Sequence, residues 1–465
     1  MFTDSIIKWQ SNKNSAVIFS FCSLILLFFI PYYILFLILI LAALLLTKNY
    51  KIILAIIIIG FVSFTNELIE EYRIFITSAS ALFLFILFFR EYGFTFNSYP
   101  KAPKEFLYFF TLLFISLGVS TLFSPLPVYG IIAIARTLIF FLIAYLFFSF
   151  LKDEKNILVY LYAICGSVIV TGIPMIMDFI QLGFEYYFSR VVFQDMFDLQ
   201  GSLGYTGLTI FYMAIALNVS FFLSGKFKKP VSKIILSLLL LFNIVVIILA
   251  NSRGGIVAAL ISTAFILYTI KPKRMIKASL IAVFITGLFL SAITDLYNAV
   301  DIYLRWHTVG DREVYWQMGI DVISDNPIVG LGTDAFDKFF YNYAPSSILG
   351  HYKTPSGVTA KPHPHNFFLY YYAENGILGL LSAISLFVLF FYYGFKCISL
   401  TRNVNYESFL LSVTITGIGL GELFRAFIEV SGHLTYGYIT RDLPFWLMFI
   451  ILIYIKQKFQ KKDVT

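Results

Sequence analysis

The sequence predicts an all-α polytopic membrane protein with 12 to 14 transmembrane helices and one long external loop. Three observations carry this. Of the 465 residues, 59% are apolar, 19% aromatic and only 13% charged, against about 25% charged in average proteins. Mean hydropathy is +0.85. The apolar residues run together, as in 34–46, where a porin-type barrel would alternate apolar and polar positions. Together these values exclude a soluble globular enzyme, a disordered chain and a disulfide scaffold.

Fourteen apolar segments follow in order, since a spanning helix needs about 20 mostly apolar residues. They run over 16–30, 32–46, 52–64, 74–89, 106–122, 131–150, 157–179, 206–223, 234–250, 255–270, 278–294, 367–395, 409–427 and 444–455. Only Pro31 separates the first two. No cleavable signal peptide is expected, because no small-residue cleavage site follows the first segment.

Cytoplasmic loops collect Lys and Arg. With the N-terminus inside, alternate loops hold 23 of the 34 basic residues and the opposite loops hold nine. Arg136 and Arg425 lie within segments. Both termini are therefore expected in the cytoplasm, with 295–366 outside. The net charge of +8 is then mostly topological, and no nucleic-acid partner is implied. Cys22, Cys165 and Cys397 sit in or at the ends of apolar stretches and read as core residues.

The organisation expected is an N-terminal bundle (1–294), an external loop (295–366) and C-terminal helices (367–465) in one membrane domain. Four of the five histidines, His307, His351, His363 and His365, lie in that loop. Within it, 311–316 opens an amphipathic helix that Asp325-Asn326-Pro327 stops. Trp316, Ile320 and Ile323 form its apolar stripe, with Arg312 on the same face. Gly330-Leu331-Gly332-Thr333 lacks the third glycine of a dinucleotide fingerprint and reads as a turn.

Several residues could carry chemistry. In Ser252-Arg253-Gly254-Gly255, Ser252 is a helix cap. A helix N-terminus with a guanidinium beside it makes a phosphate cradle, or a turn whose arginine reaches lipid headgroups. Arg136 and Arg425 are costly within a membrane segment, so each faces a wet cavity, a ligand or a partner. For Arg425 the partner could be Glu422 or Glu429, three residues before and four after it. His365, where the loop re-enters the membrane, is placed to act as a base near neutral pH, with His363 in support and Asn366 to orient the ring. Two histidines at i and i+2 with no nearby carboxylate make a weak metal signal. Glu67, Glu70 and Glu71 could hold a metal or simply be a solvated helix end. No cofactor or metal is expected.

The order of these motifs resembles a known family. A Ser-Arg-Gly turn at 252–254, then Arg312, Trp316 and Asn326-Pro327-Ile328-Val329-Gly330-Leu331-Gly332, then His365-Asn366 followed by Glu374-Asn375-Gly376-Ile377-Leu378-Gly379-Leu380, is similar to the O-antigen ligase and polymerase family. The resemblance implies a GT-C-like fold in the bacterial inner membrane and an active site on the periplasmic side. It implies metal-independent, inverting transfer of a glycan from undecaprenyl pyrophosphate to a sugar hydroxyl. By that likeness Arg253 and Arg312 contact the pyrophosphate, His365 is the base and Arg136 matches an early-helix arginine. The acceptor would be lipid A-core for a ligase, or another lipid-linked glycan for a polymerase. A flippase of lipid-linked oligosaccharides is the reading from another class, although it would show two related halves and none is visible.

Overall fold

The computed structural model describes residues 50–63, 70–93, 99–182, 196–250, 252–271, 273, 312–343 and 363–460. The described residues form helices and connecting turns, with no strand among them. In order these are α1 (Tyr50–Ser63), α2 (Glu70–Tyr92), α3 (Lys104–Phe123), α4 (Pro127–Ser149), α5 (Glu154–Leu182), α6 (Met196–Ser224) and α7 (Pro230–Leu249). They continue with α8 (Arg253–Ile270), α9 (Arg312–Asp325), α10 (Phe336–Tyr343), α11 (Phe367–Thr401), α12 (Tyr406–Ala426) and α13 (Ile439–Gln460).

Helices α3, α4, α7, α11, α12 and the Glu154–Ile173 part of α5 are long and apolar enough to cross a membrane. The protein is thus an all-α, multi-pass membrane protein. Shorter apolar helices are α1, Thr209–Ser224 and Gly254–Ile270. The segments expected at 16–30, 32–46 and 278–294 lie outside the described residues, as does much of the 295–366 loop.

Local chemistry explains the helix starts. Pro127 and Pro230 occupy the first turns of α4 and α7, where a missing N–H costs nothing. Asn366 and Asn405 cap α11 and α12 by accepting the backbone N–H groups of Leu369 and Ser408, both at 2.9 Å. α7 shows its flank outward, with Ile234, Leu238 and Leu241 exposed, as a lipid-facing helix should. α12 is the opposite case, mostly buried where α7 is mostly exposed.

α12 is central because its surface is small. A Cβ at Gly417 would lie 2.9 Å from the Ser262 carbonyl, and one at Gly421 would lie 2.7 Å from the Ala258 carbonyl. Glycines spaced by four let two backbones approach closely in a membrane. The register is antiparallel, so the N-terminus of α8 lies beside the C-terminus of α12.

α11 is broken at Gly376, whose φ is 62°, a value that disfavours side chains. The break would leave backbone groups unpaired inside the bundle, which a membrane does not tolerate. The turn before α10 satisfies them. Leu331 and Gly332 donate N–H to the carbonyls of Ala373 and Glu374, both at 2.9 Å, and Ile377 donates to Pro327 at 3.2 Å. The Glu374 carboxylate accepts the N–H groups of Asp334 and Phe336, both at 2.9 Å. Thr333 donates to Asn375 at 2.6 Å, and Asn375 donates to Tyr436 at 2.6 Å. The Glu374-Asn375-Gly376 motif is therefore the socket that holds the turn before α10.

Candidate functional site

The site is assembled where three chain segments meet at one end of the bundle. The first is 363–366, ahead of α11. Asn366 caps that helix and also donates its Nδ2 to the Phe427 carbonyl at 3.1 Å. Both halves of its amide are thus occupied with backbone, and the residue facing the imidazole is Glu429 instead. His365 Nδ1 makes no hydrogen bond and lies 3.5 Å from Glu429 Oε2. His363 Nε2 is 3.9 Å from Glu429 Oε1. The two imidazole centroids are 4.2 Å apart, and the Tyr315 ring lies 5.3 Å from that of His365.

His365 has φ 46°, left-handed backbone that costs a non-glycine residue about 1–3 kcal/mol. Strain of this kind gathers at functional sites. Glu429 is nearly buried, with its side chain 10% exposed. Burial pushes its carboxyl upward, but the facing His365 and the Arg425 guanidinium outweigh that and hold it well below the usual range. Burial, the neighbouring His365, Arg441 and Arg312 lower His363 to about 3, so it is neutral at ordinary pH.

The second segment is α9, which packs on α11. Its helix runs from Arg312 to Asp325, as the sequence predicts, but it buries Tyr315, Met318, Gly319 and Val322. The expected stripe of Trp316, Ile320 and Ile323 lies on the shoulder of that face, and Ile320 is exposed. The reason is Gly319, where a Cβ would lie 2.8 Å from Leu369. The close seat beside α11 decides which face turns inward. Arg312, half-buried at the start of α9, bears on His363 electrostatically.

The third segment is the start of α8. Ser252 caps it by accepting the Gly255 N–H at 3.1 Å, so that N–H is already spent. A Cβ at Gly254 would lie 2.7 Å from Ile428, which adjoins Glu429. The Ser252-Arg253-Gly254 turn is thereby brought to the segment that faces His365.

The two membrane arginines have named partners. Arg136 donates to the Tyr436 carbonyl at 3.1 Å, the Tyr438 hydroxyl at 3.1 Å and Asp334 at 2.7 Å. It ties α4 to the turn before α10 and to the 436–438 loop. Arg425 donates to Thr209 at 2.5 Å and lies 3.8 Å from Glu422, the i−3 pairing open from sequence. Its guanidinium is 5.6 Å from the Tyr212 ring centre. Glu422 Oε2 is also 3.0 Å from His433 Nε2, and these side chains are buried.

Sequence reasoning missed three neighbours of His365 and His363. Tyr315 carried no signal beyond its place in α9. Arg441 stood among the nine external basic residues. Glu429 was visible only as a possible partner of Arg425. It also supplies the carboxylate whose absence made the histidine pair a weak metal signal. Ligand atoms of His363, His365 and Glu429 all lie within 4.8 Å of one another. Of the acidic trio expected near the start of α2, Glu67 lies outside the described residues, while Glu70 and Glu71 open that helix.

Comparison with known proteins bears on this end of the molecule. A family model described as O-antigen ligase matches residues 236–384, a span that includes Ser252–Gly255, Arg312 and His363–Asn366. An uncharacterized protein of Haemophilus influenzae is 23% identical over 330 residues, covering 66% of this chain and 76% of that one. The chain is a membrane-embedded protein related to the O-antigen ligase family.

Proposed function

We propose that this protein is a membrane glycosyltransferase that moves a glycan from undecaprenyl pyrophosphate to a sugar hydroxyl. The observation that carries the reading is the meeting of His365, Glu429, Arg312 and the Ser252-Arg253-Gly254 turn at one end of the bundle. That end is the periplasmic one by the Lys/Arg distribution, and the membrane is the bacterial inner membrane. The bundle is read as GT-C-like.

In this mechanism His365 takes the proton of the acceptor hydroxyl at Nε2. Glu429 favours the tautomer with the proton on Nδ1, which leaves Nε2 with its lone pair. The acceptor oxygen attacks the anomeric carbon and the bond to the pyrophosphate oxygen breaks, with inversion. The electron pair leaves on undecaprenyl pyrophosphate. Arg253 and Arg312 meet that developing charge, aided by the capped start of α8, in a site shielded from bulk water. No metal is assigned to these steps.

The acceptor is lipid A-core if the protein is a ligase, and a second lipid-linked glycan if it is a polymerase. Mass spectrometry of surface glycans in a deletion strain separates them. Loss of all attached chains indicates the ligase, and a single attached repeat indicates the polymerase. The chemistry is tested with purified full-length protein, a lipid-linked donor and its acceptor. His365→Ala should lose about 10² to 10⁴ in rate while still retaining the donor. Activity above roughly a tenth of wild type would remove His365 as the base.

A further inference from the structure

We propose that His363, His365 and Glu429 form a binding site for a divalent transition-metal ion of the zinc type, and that the bound ion silences the transferase. The silencing rests on the reading of His365 as base. The site itself rests on geometry alone.

Two imidazoles and one carboxylate are a recurrent ligand set for zinc and related ions. Here they come from two segments, 363–365 and 429, held together by the Asn366–Phe427 bond. Their ligand atoms already lie within 4.8 Å of one another, and closing them on an ion needs side-chain movement only. His365 Nδ1 gives up only its 3.5 Å approach to Glu429 Oε2, which the ion would bridge. Turning the His363 ring toward the ion would release its Nδ1 from the His365 backbone N–H, a hydrogen bond already long at 3.3 Å. Each imidazole is 21% exposed while His365 Nδ1 itself is buried, so an ion enters as the rings turn toward it.

The consequence for chemistry is a change of tautomer. Without an ion, Glu429 favours Nδ1–H and leaves the Nε2 lone pair free. An ion on Nδ1 replaces that proton, and the ring's single proton then sits on Nε2. The imidazole can no longer accept the proton of an acceptor hydroxyl. The same carboxylate thus supports the base in one state and the ion in the other.

The test uses purified full-length protein in lipid nanodiscs and ZnCl2 as probe, with CoCl2 for its visible absorption. Wild type should take up one Zn2+ per chain, and Co2+ should give the bands of a nitrogen- and oxygen-ligated ion. His363→Ala and Glu429→Gln should each weaken uptake by more than the roughly tenfold that loss of a mere outer-shell partner costs, with thermal melting used to show that the variants fold. Zn2+ should inhibit transfer by wild type, and EDTA should restore it. Equal uptake by wild type and the His363→Ala, His365→Ala double variant overturns the site and leaves the base reading standing. Specific uptake together with activity that needs the ion upholds the site but overturns both the silencing and the role of His365 as base.

Discussion

Glu429 shows how little of a site one residue's neighbours in sequence reveal. It lies in a loop after α12, far along the chain from His365, and no periodicity links the two. His365 was legible because it stands where a hydrophilic loop meets a membrane segment. Asn366 was legible as its neighbour, yet its amide works on backbone at Leu369 and Phe427. Arg253 and Arg312 were legible as cations beside helix starts. Arg253→Ala and Arg312→Ala should each lower transfer by about tenfold or more, since removing one donor to developing charge typically costs about 10² or more. Lys at either position should rescue only part of that loss, because the bidentate fork to phosphate is gone. The check is a transfer assay alongside size-exclusion profiles of each variant. Near-normal transfer in an alanine variant removes that arginine from the site.

The helices themselves were largely readable, and their contacts were not. Every apolar segment that falls on described residues became a helix, most with ends shifted by a few residues, although α6 begins at Met196, ten residues before the segment expected from 206. The break at Gly376 was hidden inside one such segment, because hydropathy does not register a single left-handed glycine. The inward face of α9 was also misread, since Gly319 rather than the larger side chains marks its closest contact. The packing of α8 on α12 is the element-scale device that brings Arg253 to the site. Gly421→Val would place its side chain against the Ala258 carbonyl and Ser262 and force the two helices apart. Overpacking of this kind costs about 1–3 kcal/mol. We expect a lower melting temperature and a large loss of transfer, because a misplacement of about 1 Å can cost about 10² in rate. Unchanged activity would mean that the α8–α12 contact does not position the site.

On the scale of the whole molecule, the Lys/Arg count sorted the chain into two sides, and the ion pairs agree with that sorting. Lys51–Asp153, Lys152–Glu91, Lys226–Glu407, Lys456–Glu105 and Lys458–Glu154 all join residues assigned to the same end. His365, Glu429 and Asp334 lie at the other. On the expected sorting, with 23 basic residues in one set of loops and nine in the other, a cysteine at Lys273 should resist an impermeant reagent in intact cells. A cysteine at Lys338 should react. The reverse pattern would invert the topology. The polar cluster around Arg425 bears on how the chain enters the bilayer at all. α12 has a mean hydropathy of 1.4, against 2.7 for α7, and carries Glu422 and Arg425. A charge at the centre of a helix alone in hydrocarbon costs about 2.5–3.5 kcal/mol, and these two, toward the end of α12, cost less but still oppose insertion. Thr209 and Tyr212 on α6 are made before α12, whereas His433 is made after it. We expect α12 to enter the bilayer beside α6, already made, where Thr209 accepts from Arg425, rather than as a solitary helix. His433, made later, then settles against the Glu422 carboxylate.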